Sequence, residues 1–266
     1  MEPKPAHLGP RFGAAFEAES IARAYHTRPP YPAEFFETLV KLQPAGPRSI
    51  LDLGCGTGEV ALGLVGRVDR IDAVDPSEAM LRVARARVGG NHPSLSWIRA
   101  SAEAFVSRGP YSLVVAAESL QWMEWEVVLP KIADALQGGA FLALALGRSL
   151  PDAPWQAELE PLIARYSTNT EYRPYDLVAE LTRRGLFREA GRHTTRPVEF
   201  RQPSDDYVES FHTRSAFSRE SMSRASAAEF DGALRELVSR HCPAGVVVGE
   251  TVASVIWGEP SAATPG

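Results

Sequence analysis

The chain of 266 residues has only two cysteines, Cys55 and Cys242. Two cysteines exclude a disulfide framework and the paired-cysteine spacing of a zinc site. Ligand spacing is also missing among the histidines His26, His92, His193 and His241, so we predict no bound metal. Since the chain carries no disulfide framework, we expect it to act in the cytoplasm.

Long apolar runs and an excess of positive charge are missing as well. The longest run, Ala140 to Leu146, has the length of a buried strand, far short of the roughly 20 residues that cross a bilayer. The 28 Lys and Arg residues face 33 Asp and Glu residues, which gives a formal net charge of -5. A nucleic-acid binder normally carries a basic stripe. We therefore expect a small-molecule partner and no nucleic acid or membrane partner, in a monomer or a homodimer.

Strand-like and helix-like segments alternate from residue 48 to residue 146, which is typical of a parallel sheet with helices on both faces. The predicted strands are Ser49–Leu53, Arg70–Val74, Leu95–Ile98, Leu113–Ala117 and Phe141–Leu146. The predicted helices are Ala33–Leu42, Glu59–Val65, Ser77–Val88 and Trp125–Leu136. Ser77 is the expected N-cap of its helix, because its hydroxyl can accept a free backbone N–H.

Two later segments, Phe187–Phe200 and Gly245–Trp257, alternate like strands and are expected to pair antiparallel at one edge of the sheet. Helical patterns cover Pro151–Arg184 and Asp205–His241. We predict an N-terminal lid over 1–44, a cofactor-binding core over 45–150, a helical cap with the last two strands over 151–258, and a flexible tail over 259–266. The fold class is therefore α/β, with a seven-stranded, mostly parallel sheet.

The segment Ile50 to Glu59 predicts a nucleotide-like cofactor. An apolar strand ends in Asp52 and three alternating glycines at 54, 56 and 58, and glycine lets the backbone approach a ligand where a Cβ would clash. A dinucleotide site would have a further glycine where Glu59 stands. Asp75 follows the next strand, where a carboxylate can accept both hydroxyls of a ribose.

An acid followed by alternating glycines resembles the first motif of class I S-adenosylmethionine-dependent methyltransferases, and the resemblance extends from Arg48 to Gly147. The segment Tyr25–Pro32, with Tyr25, Arg28, Tyr31 and two adjacent prolines, is similar to the entry of the small-molecule branch that includes trans-aconitate methyltransferases. The resemblance implies a Rossmann-like methyltransferase fold, S-adenosylmethionine as cofactor and S-adenosylhomocysteine as product. It also implies methyl transfer to a small acceptor.

The resemblance implies a set of cofactor-binding positions. They are Tyr25, Arg28, Asp52, Gly54, Cys55, Gly56, Gly58, Asp75, Pro76, Met80, Ser101, Ala102, Glu103 and Ala117. Ser101 departs from the family, which commonly places Asp there to meet the adenine amino group. We therefore expect that contact from Ser101 or from the backbone of Ala102.

The acceptor is expected to meet Tyr31, Gln121, Trp122, His212 and Arg214. Many relatives have His-Trp where this chain has Gln121-Trp122, and glutamine cannot act as a general base. A carboxylate acceptor is already ionised and needs only to be aligned, so the missing histidine favours a carboxylate over a hydroxyl. Arg214 can grip a carboxylate bidentately and His212 can act as a base for a less acidic acceptor, which makes both candidate catalytic residues. The alternative for both is an ordinary solvated helix.

Two other functions remain open at this point. An enzyme of the same fold can use the sulfonium without methyl transfer, for example in a cyclisation. A non-catalytic protein can also keep the fold as an interaction surface. The intact glycines and Asp75 argue against the second alternative.

Overall fold

The structure, a computed structural model, describes residues 4–147 and 153–261. Its α-helices are α1 (Pro10–Ala14), α2 (Glu19–Ala24), α3 (Ala33–Lys41), α4 (Glu59–Leu64), α5 (Glu78–Ala86), α6 (Trp125–Ala135), α7 (Gln156–Tyr166), α8 (Leu177–Arg183), α9 (Ser204–Phe211) and α10 (Arg224–His241). Its strands are β1 (Ser49–Leu53), β2 (Arg70–Asp75), β3 (Leu95–Arg99), β4 (Tyr111–Ala117), β5 (Leu136–Leu146), β6 (Phe187–Thr194), β7 (Val198–Pro203), β8 (Val246–Thr251) and β9 (Ser254–Pro260). None of the helices in these two stretches is long and apolar enough to cross a membrane.

The described residues form two compact units. The sheet unit comprises residues 31–147, 174–196 and 252–261. The helical unit comprises residues 4–30, 153–173 and 197–251. Each unit has its own hydrophobic cluster.

The sheet unit is built on a seven-stranded sheet with the order β3-β2-β1-β4-β5-β9-β6. Strands β1 to β5 are parallel, and β9 runs antiparallel to both β5 and β6. The predicted fold class is confirmed. Strand order reverses between β1 and β4, and in open sheets of this kind ligands bind at the carboxyl ends of the strands beside that reversal.

Helices cover both faces of the sheet because side chains of β1 point alternately to the two sides. On one side, Asp52 accepts a hydrogen bond from the backbone N–H of Ala61 in α4. On the other side, Leu51 and Leu53 line a cavity together with Ile132 of α6. The N-cap prediction for α5 is confirmed, since the hydroxyl of Ser77 accepts the N–H of Met80 at 3.2 Å.

The main cluster of the sheet unit lies on the α4 side and draws on α3, α4, α5 and five strands. Its fully buried members are Phe35, Leu39, Ile50, Ala61, Leu64, Ile71, Ala73, Leu81, Leu113, Val115, Ala143, Ala253 and Val255. Each large side chain removed from water in this way stabilises the fold by about 1.5 to 3 kcal/mol.

The two last predicted strands are each divided in the structure. Phe187–Phe200 contains β6 and the start of β7, and Gly245–Trp257 contains β8 and the start of β9. Pro197 breaks the first segment because proline has no N–H for a strand ladder. Where β6 ends, the N–H of Thr195 donates to the carbonyl of Ala253 at 3.0 Å. β6 and β9 stay in the main sheet, whereas β7 and β8 form a separate antiparallel pair.

The helical unit packs α7, α9 and α10 around an aromatic cluster. Its members include Trp155, Tyr166, Tyr207, Phe211, Phe217, Phe230, Leu234 and Val238. The predicted helical stretch over 151–184 is two helices, α7 and α8, which lie in different units. The long predicted helical region over 205–241 is likewise divided into α9 and α10, with a short 3-10 helix at Ser215–Phe217 between them.

The predicted flexible tail begins inside a strand. Glu259 pairs with Arg188 and Pro260 pairs with Phe187 in the β9–β6 ladder. The rest of that tail, 262–266, and the predicted boundary at residue 150 lie outside the described residues.

Candidate functional site

The turn after β1 adopts the left-handed backbone conformation at each of its three glycines. The φ angles are 74° at Gly54, 53° at Gly56 and 80° at Gly58. The N–H groups of Gly54 and Cys55 both donate to the carbonyl of Val74 in β2, at 2.8 and 3.0 Å. These bonds fix the turn against the end of the neighbouring strand.

Two of these glycines are also required by side-chain packing. A Cβ on Gly54 would lie 2.5 Å from the Cβ of Ser119, and a Cβ on Gly58 would lie 2.4 Å from the ring of Trp97. Real carbon atoms do not approach so closely. The structure therefore gives these glycines a packing role that the sequence pattern did not indicate.

Asp75 lies at the end of β2, where the sequence predicted it, and it is held by backbone donors on both oxygens. Its Oδ2 accepts the N–H of Gly56 at 2.8 Å, and its Oδ1 accepts the N–H of Ser77 at 2.9 Å. The structure thus brings the predicted turn and the predicted acid into direct contact. A carboxylate has about four acceptor positions, so two N–H donors are compatible with further donors from a ligand.

Asp52 is buried beneath the turn, with 1% of its surface exposed. Burial, and to a smaller degree the negative charge of Asp75, raise the pKa of Asp52 to about 7, while the N–H of Ala61 acts in the opposite direction. Burial is also the main reason that the pKa of the Cys55 thiol lies well above its ordinary value. A thiol held in this way is inert as a nucleophile.

The predicted adenine contacts follow β2 and β3. Pro76 is exposed, whereas Met80 is 2% exposed and belongs to the packed side of α5. Ser101 uses its hydroxyl to accept the N–H of Ala104 at 3.2 Å, which caps the turn that follows β3. Ala102 is buried in that turn, and the carboxylate of Glu103 accepts a backbone N–H from residue 124 at 2.9 Å.

A strained residue follows the last residue of β4. Glu118, which follows the predicted contact Ala117, has a φ of 54°, an unusual conformation for a residue other than glycine. Ser119 donates its hydroxyl to the carbonyl of Leu53 at 2.6 Å, and the side-chain amide of Gln121 donates to the carbonyl of Glu118 at 2.7 Å. Backbone strain of this kind often accompanies functional sites. Trp122 lies half-buried in the 3-10 helix that follows.

Tyr31, a predicted acceptor contact, is buried in the hydrophobic cluster of the sheet unit. Its ring stacks on that of Phe35 with 4.2 Å between the centroids. Tyr25 and Arg28 belong to the helical unit instead. The guanidinium of Arg28 lies 4.3 Å from the Tyr25 ring and donates to the Thr213 hydroxyl at 2.9 Å and to the Thr213 carbonyl at 2.6 Å.

His212 and Arg214, the candidate catalytic residues, flank Thr213 in the helical unit. His212 is 2% exposed, and its ring contacts the carbonyl of Phe217 at 2.7 Å and the carboxylate of Asp231 at 2.6 Å. Both ring nitrogens therefore face acceptor atoms inside the unit. Arg214 is exposed, and its guanidinium lies 4.4 Å from the centre of the Phe211 ring.

The strand order and the glycine turn beside Asp75 place a candidate cofactor site at the carboxyl ends of β1 and β2. Comparison with known proteins also finds similarity to methyltransferases. Residues 50–139 match a family described as "Methyltransferase domain". The predicted resemblance to methyltransferases is thereby confirmed for residues 50–139.

Two proteins with similar sequences are themselves named as methyltransferases. The chain is 31% identical over 138 residues to an uncharacterized methyltransferase of Mycobacterium tuberculosis, covering 52% of this chain and 54% of that protein. It is 30% identical over 144 residues to trans-aconitate 2-methyltransferase of Azoarcus sp., covering 49% of this chain and 55% of the relative. The chain thus spans about half the length of the curated relatives that it matches. A solved methyltransferase structure from Anaeromyxobacter dehalogenans shares the fold, with a TM-score of 0.60, 24% identity, and coverage of 88% of this chain and 97% of that one.

Proposed function

We propose that this protein transfers the methyl group of S-adenosylmethionine to a small molecule that carries a carboxylate or a hydroxyl. The contact of Asp75 with the glycine turn carries the proposal. Its carboxylate is fixed by two backbone N–H groups at 2.8 and 2.9 Å before any ligand arrives. Acceptor oxygens that are already oriented lose little freedom on binding, so they are suited to the two hydroxyls of a ribose.

The residues around the turn fit such a cofactor. Asp75 would hold the ribose, and the backbone of Gly56, anchored to Asp75, would line the approach to it. Asp52 has a buried side-chain oxygen for which the described residues provide no hydrogen-bond partner. When bound, S-adenosylmethionine supplies a methyl group on a positively charged sulfur. The remaining predicted contacts, from Pro76 to Ala117, stand as part of this proposal.

The residues near the end of β4 support a carboxylate acceptor. The amide of Gln121 donates to the carbonyl of Glu118, and an amide has no proton-accepting strength to activate a hydroxyl. Alignment of an acceptor that is already ionised would then be the main task of the protein. One relative, trans-aconitate 2-methyltransferase, is itself named for a carboxylate.

Of the two candidate catalytic residues, Arg214 is the better acceptor ligand. It is exposed, and a guanidinium binds a carboxylate through two parallel hydrogen bonds. His212 is buried with both ring nitrogens against acceptor atoms, which favours a role in fixing the 212–217 turn. The parts assigned to Tyr31 and Trp122 in acceptor binding remain proposals.

Calorimetric titration with S-adenosylmethionine and S-adenosylhomocysteine tests the cofactor site. We expect Asp75→Ala to weaken binding of both compounds at least tenfold, since a hydrogen bond to a charged group contributes about 1.5 to 3 kcal/mol. Asp69→Ala is the matched control. Asp69 also accepts a backbone N–H, from Arg48 at 2.8 Å, but it precedes β2, at the opposite end of the strand.

The control should bind as the unmodified protein does. Well-folded unmodified protein that binds neither compound would refute the proposal. Product analysis then separates the same-fold alternative. S-adenosylhomocysteine formed together with a methylated acceptor supports methyl transfer. Consumption of S-adenosylmethionine without a methylated product supports an enzyme that uses the sulfonium without methyl transfer.

A further inference from the structure

Asp52 is a buried acid with an incomplete set of partners. It is 1% exposed, and its Oδ2 accepts the N–H of Ala61 at 3.0 Å. Within the described parts of the chain, no donor reaches its Oδ1. A buried carboxylate in this situation is costly, because desolvation disfavours the charged form.

The charged groups around Asp52 do not offset that cost. Asp75 on β2 adds a second negative charge, and the titratable group beside it on the turn is the Cys55 thiol. The positive charge of Arg85 on α5 lowers the pKa of Cys55. The pKa of Asp52 is set by burial, the Ala61 N–H and Asp75. The pKa of Asp52 is accordingly raised to about 7, mainly by burial. At neutral pH a large share of the molecules would carry a proton at this position.

We propose that Asp52 holds a proton in the cofactor-free protein and releases it to solvent when a positively charged cofactor binds. Ionised Asp52 would then favour the sulfonium of S-adenosylmethionine over the neutral sulfur of S-adenosylhomocysteine, which makes Asp52 a residue that selects cofactor over product. The proposal rests on the proposed function above. Both compounds carry the same α-ammonium group, and they differ in the methyl group and the positive charge on sulfur. Of these two differences, the charge is the one that responds to ionisation of Asp52.

Proton release can be counted by calorimetry in two buffers of different ionisation enthalpy at pH 7. A carboxyl with a pKa of about 7 is half protonated there, so we expect about half a proton released per S-adenosylmethionine bound, and less for S-adenosylhomocysteine. Between pH 6 and pH 8 the affinity for S-adenosylmethionine should rise about tenfold, because the ionised fraction of Asp52 rises by that factor. The affinity for S-adenosylhomocysteine should change less than about threefold.

Asp52→Asn is the informative variant, since it keeps the shape and the acceptor for Ala61 while removing the titration. It should release no protons and show no change of preference with pH. Asp72→Asn is the matched control. Asp72 is also a buried acid of the sheet, but its partners are in place, namely the Tyr111 hydroxyl at 2.8 Å and Arg70 at 3.8 Å. This variant should release protons as the unmodified protein does.

A direct measurement needs no ligand. In cofactor-free protein labelled with ¹³C at aspartate carboxyls, the signal that disappears in Asp52→Asn should titrate near pH 7. Binding without proton release, or an Asp52 signal that titrates only below pH 5, would overturn this proposal and leave the proposed function intact. Failure to bind either compound would instead remove the proposed function, and this inference with it.

Discussion

At the residue scale, the glycine turn serves packing and the candidate site together. Gly58 leaves room for the ring of Trp97, and Gly54 leaves room for Ser119. Ser119 in turn donates to the carbonyl of Leu53, the residue that ends β1. The turn is therefore packed against Trp97 of β3 and against Ser119, which follows β4.

Gly58→Ala measures how much of this restriction is steric. Gly66 is the matched control, because it has a similar φ of 75° but nothing within 4 Å of the position that a Cβ would take. Gly66→Ala should lower the free energy of unfolding by about 1 to 2 kcal/mol through the left-handed backbone alone. Gly58→Ala should cost about 1 to 3 kcal/mol more, the usual range for overpacking against a ring such as that of Trp97.

Urea denaturation of the two variants gives the difference directly. Equal losses for Gly58→Ala and Gly66→Ala would show that Trp97 moves aside at no cost.

The sequence predicted part of the candidate site and missed another part for a physical reason. The spacing of the glycine turn and Asp75 reflects two neighbouring parallel strands, so their contact through Gly56 could be anticipated. The bond from Ser119 to Leu53 depends on β4 lying beside β1, although β2 and β3 come between them in the chain. The order of strands in a sheet produces no local sequence pattern, so the contact between Ser119 and Leu53 could not be predicted from the sequence.

At the element scale, Arg28 connects the N-terminal arm of the helical unit, residues 4–30, to the turn that follows α9. Arg28 donates to Thr213 through two nitrogens, and a third nitrogen donates to the Tyr25 hydroxyl at 3.1 Å. Thr213 is fully buried and also donates its hydroxyl to the carbonyl of Ser210 at 2.6 Å. The planar fork of arginine suits this geometry, and lysine cannot reproduce it.

A double-mutant cycle with Arg28→Lys and Thr213→Val tests the link. Each single variant should lower the free energy of unfolding by about 1 to 3 kcal/mol, and the pair should show a coupling energy of about 0.5 to 3 kcal/mol. Denaturant titration gives the four free energies. Strictly additive losses would show that Arg28 and Thr213 contribute independently.

The elements themselves were predicted best where one local signal dominates. Strands β1 to β4 begin and end within two residues of their predicted bounds, and β1 was placed to the residue. β5 begins at Leu136, five residues before its predicted start. The segment from 187 to 200 was predicted as one strand because its alternation continues past Pro197. In the structure β6 ends at Thr194 and β7 begins at Val198, with Pro197 in the connection between them. Alternation reports which side a residue faces, but it does not report which sheet the strand joins.

At the scale of the whole molecule, two buried clusters stabilise the fold, and charge sets how stability depends on pH. Asp52 has a pKa raised to about 7 from an ordinary value of 3.8, so the folded state loses stability from this group as the pH rises between those values. Glu180, held by Arg183 and Arg184, has a pKa lowered to about 2, so its contribution is lost as the pH falls below 4.5. As the pH rises, ionisation of Asp52 therefore lowers the stability of the fold, whereas ionisation of Glu180 raises it.

Stability of Asp52→Asn relative to the unmodified protein should accordingly improve as the pH is raised from 5 to 7, by at most about 1.4 kcal/mol per pH unit. Above pH 7 the difference should level off. Urea denaturation at pH 5, 7 and 8 checks this, with Asp72→Asn as the comparison. A difference that does not vary with pH would mean that Asp52 is ionised throughout.

Residues 197–251 leave the sheet unit after β6 and return at β9, and these two strands are neighbours in the same sheet. The chain on either side of that excursion is closed by the bonds between Thr195 and Ala253, both at 3.0 Å. Topologically, the excursion is an enlarged β6–β9 hairpin loop, and it contains none of the sheet's seven strands, the glycine turn or Asp75.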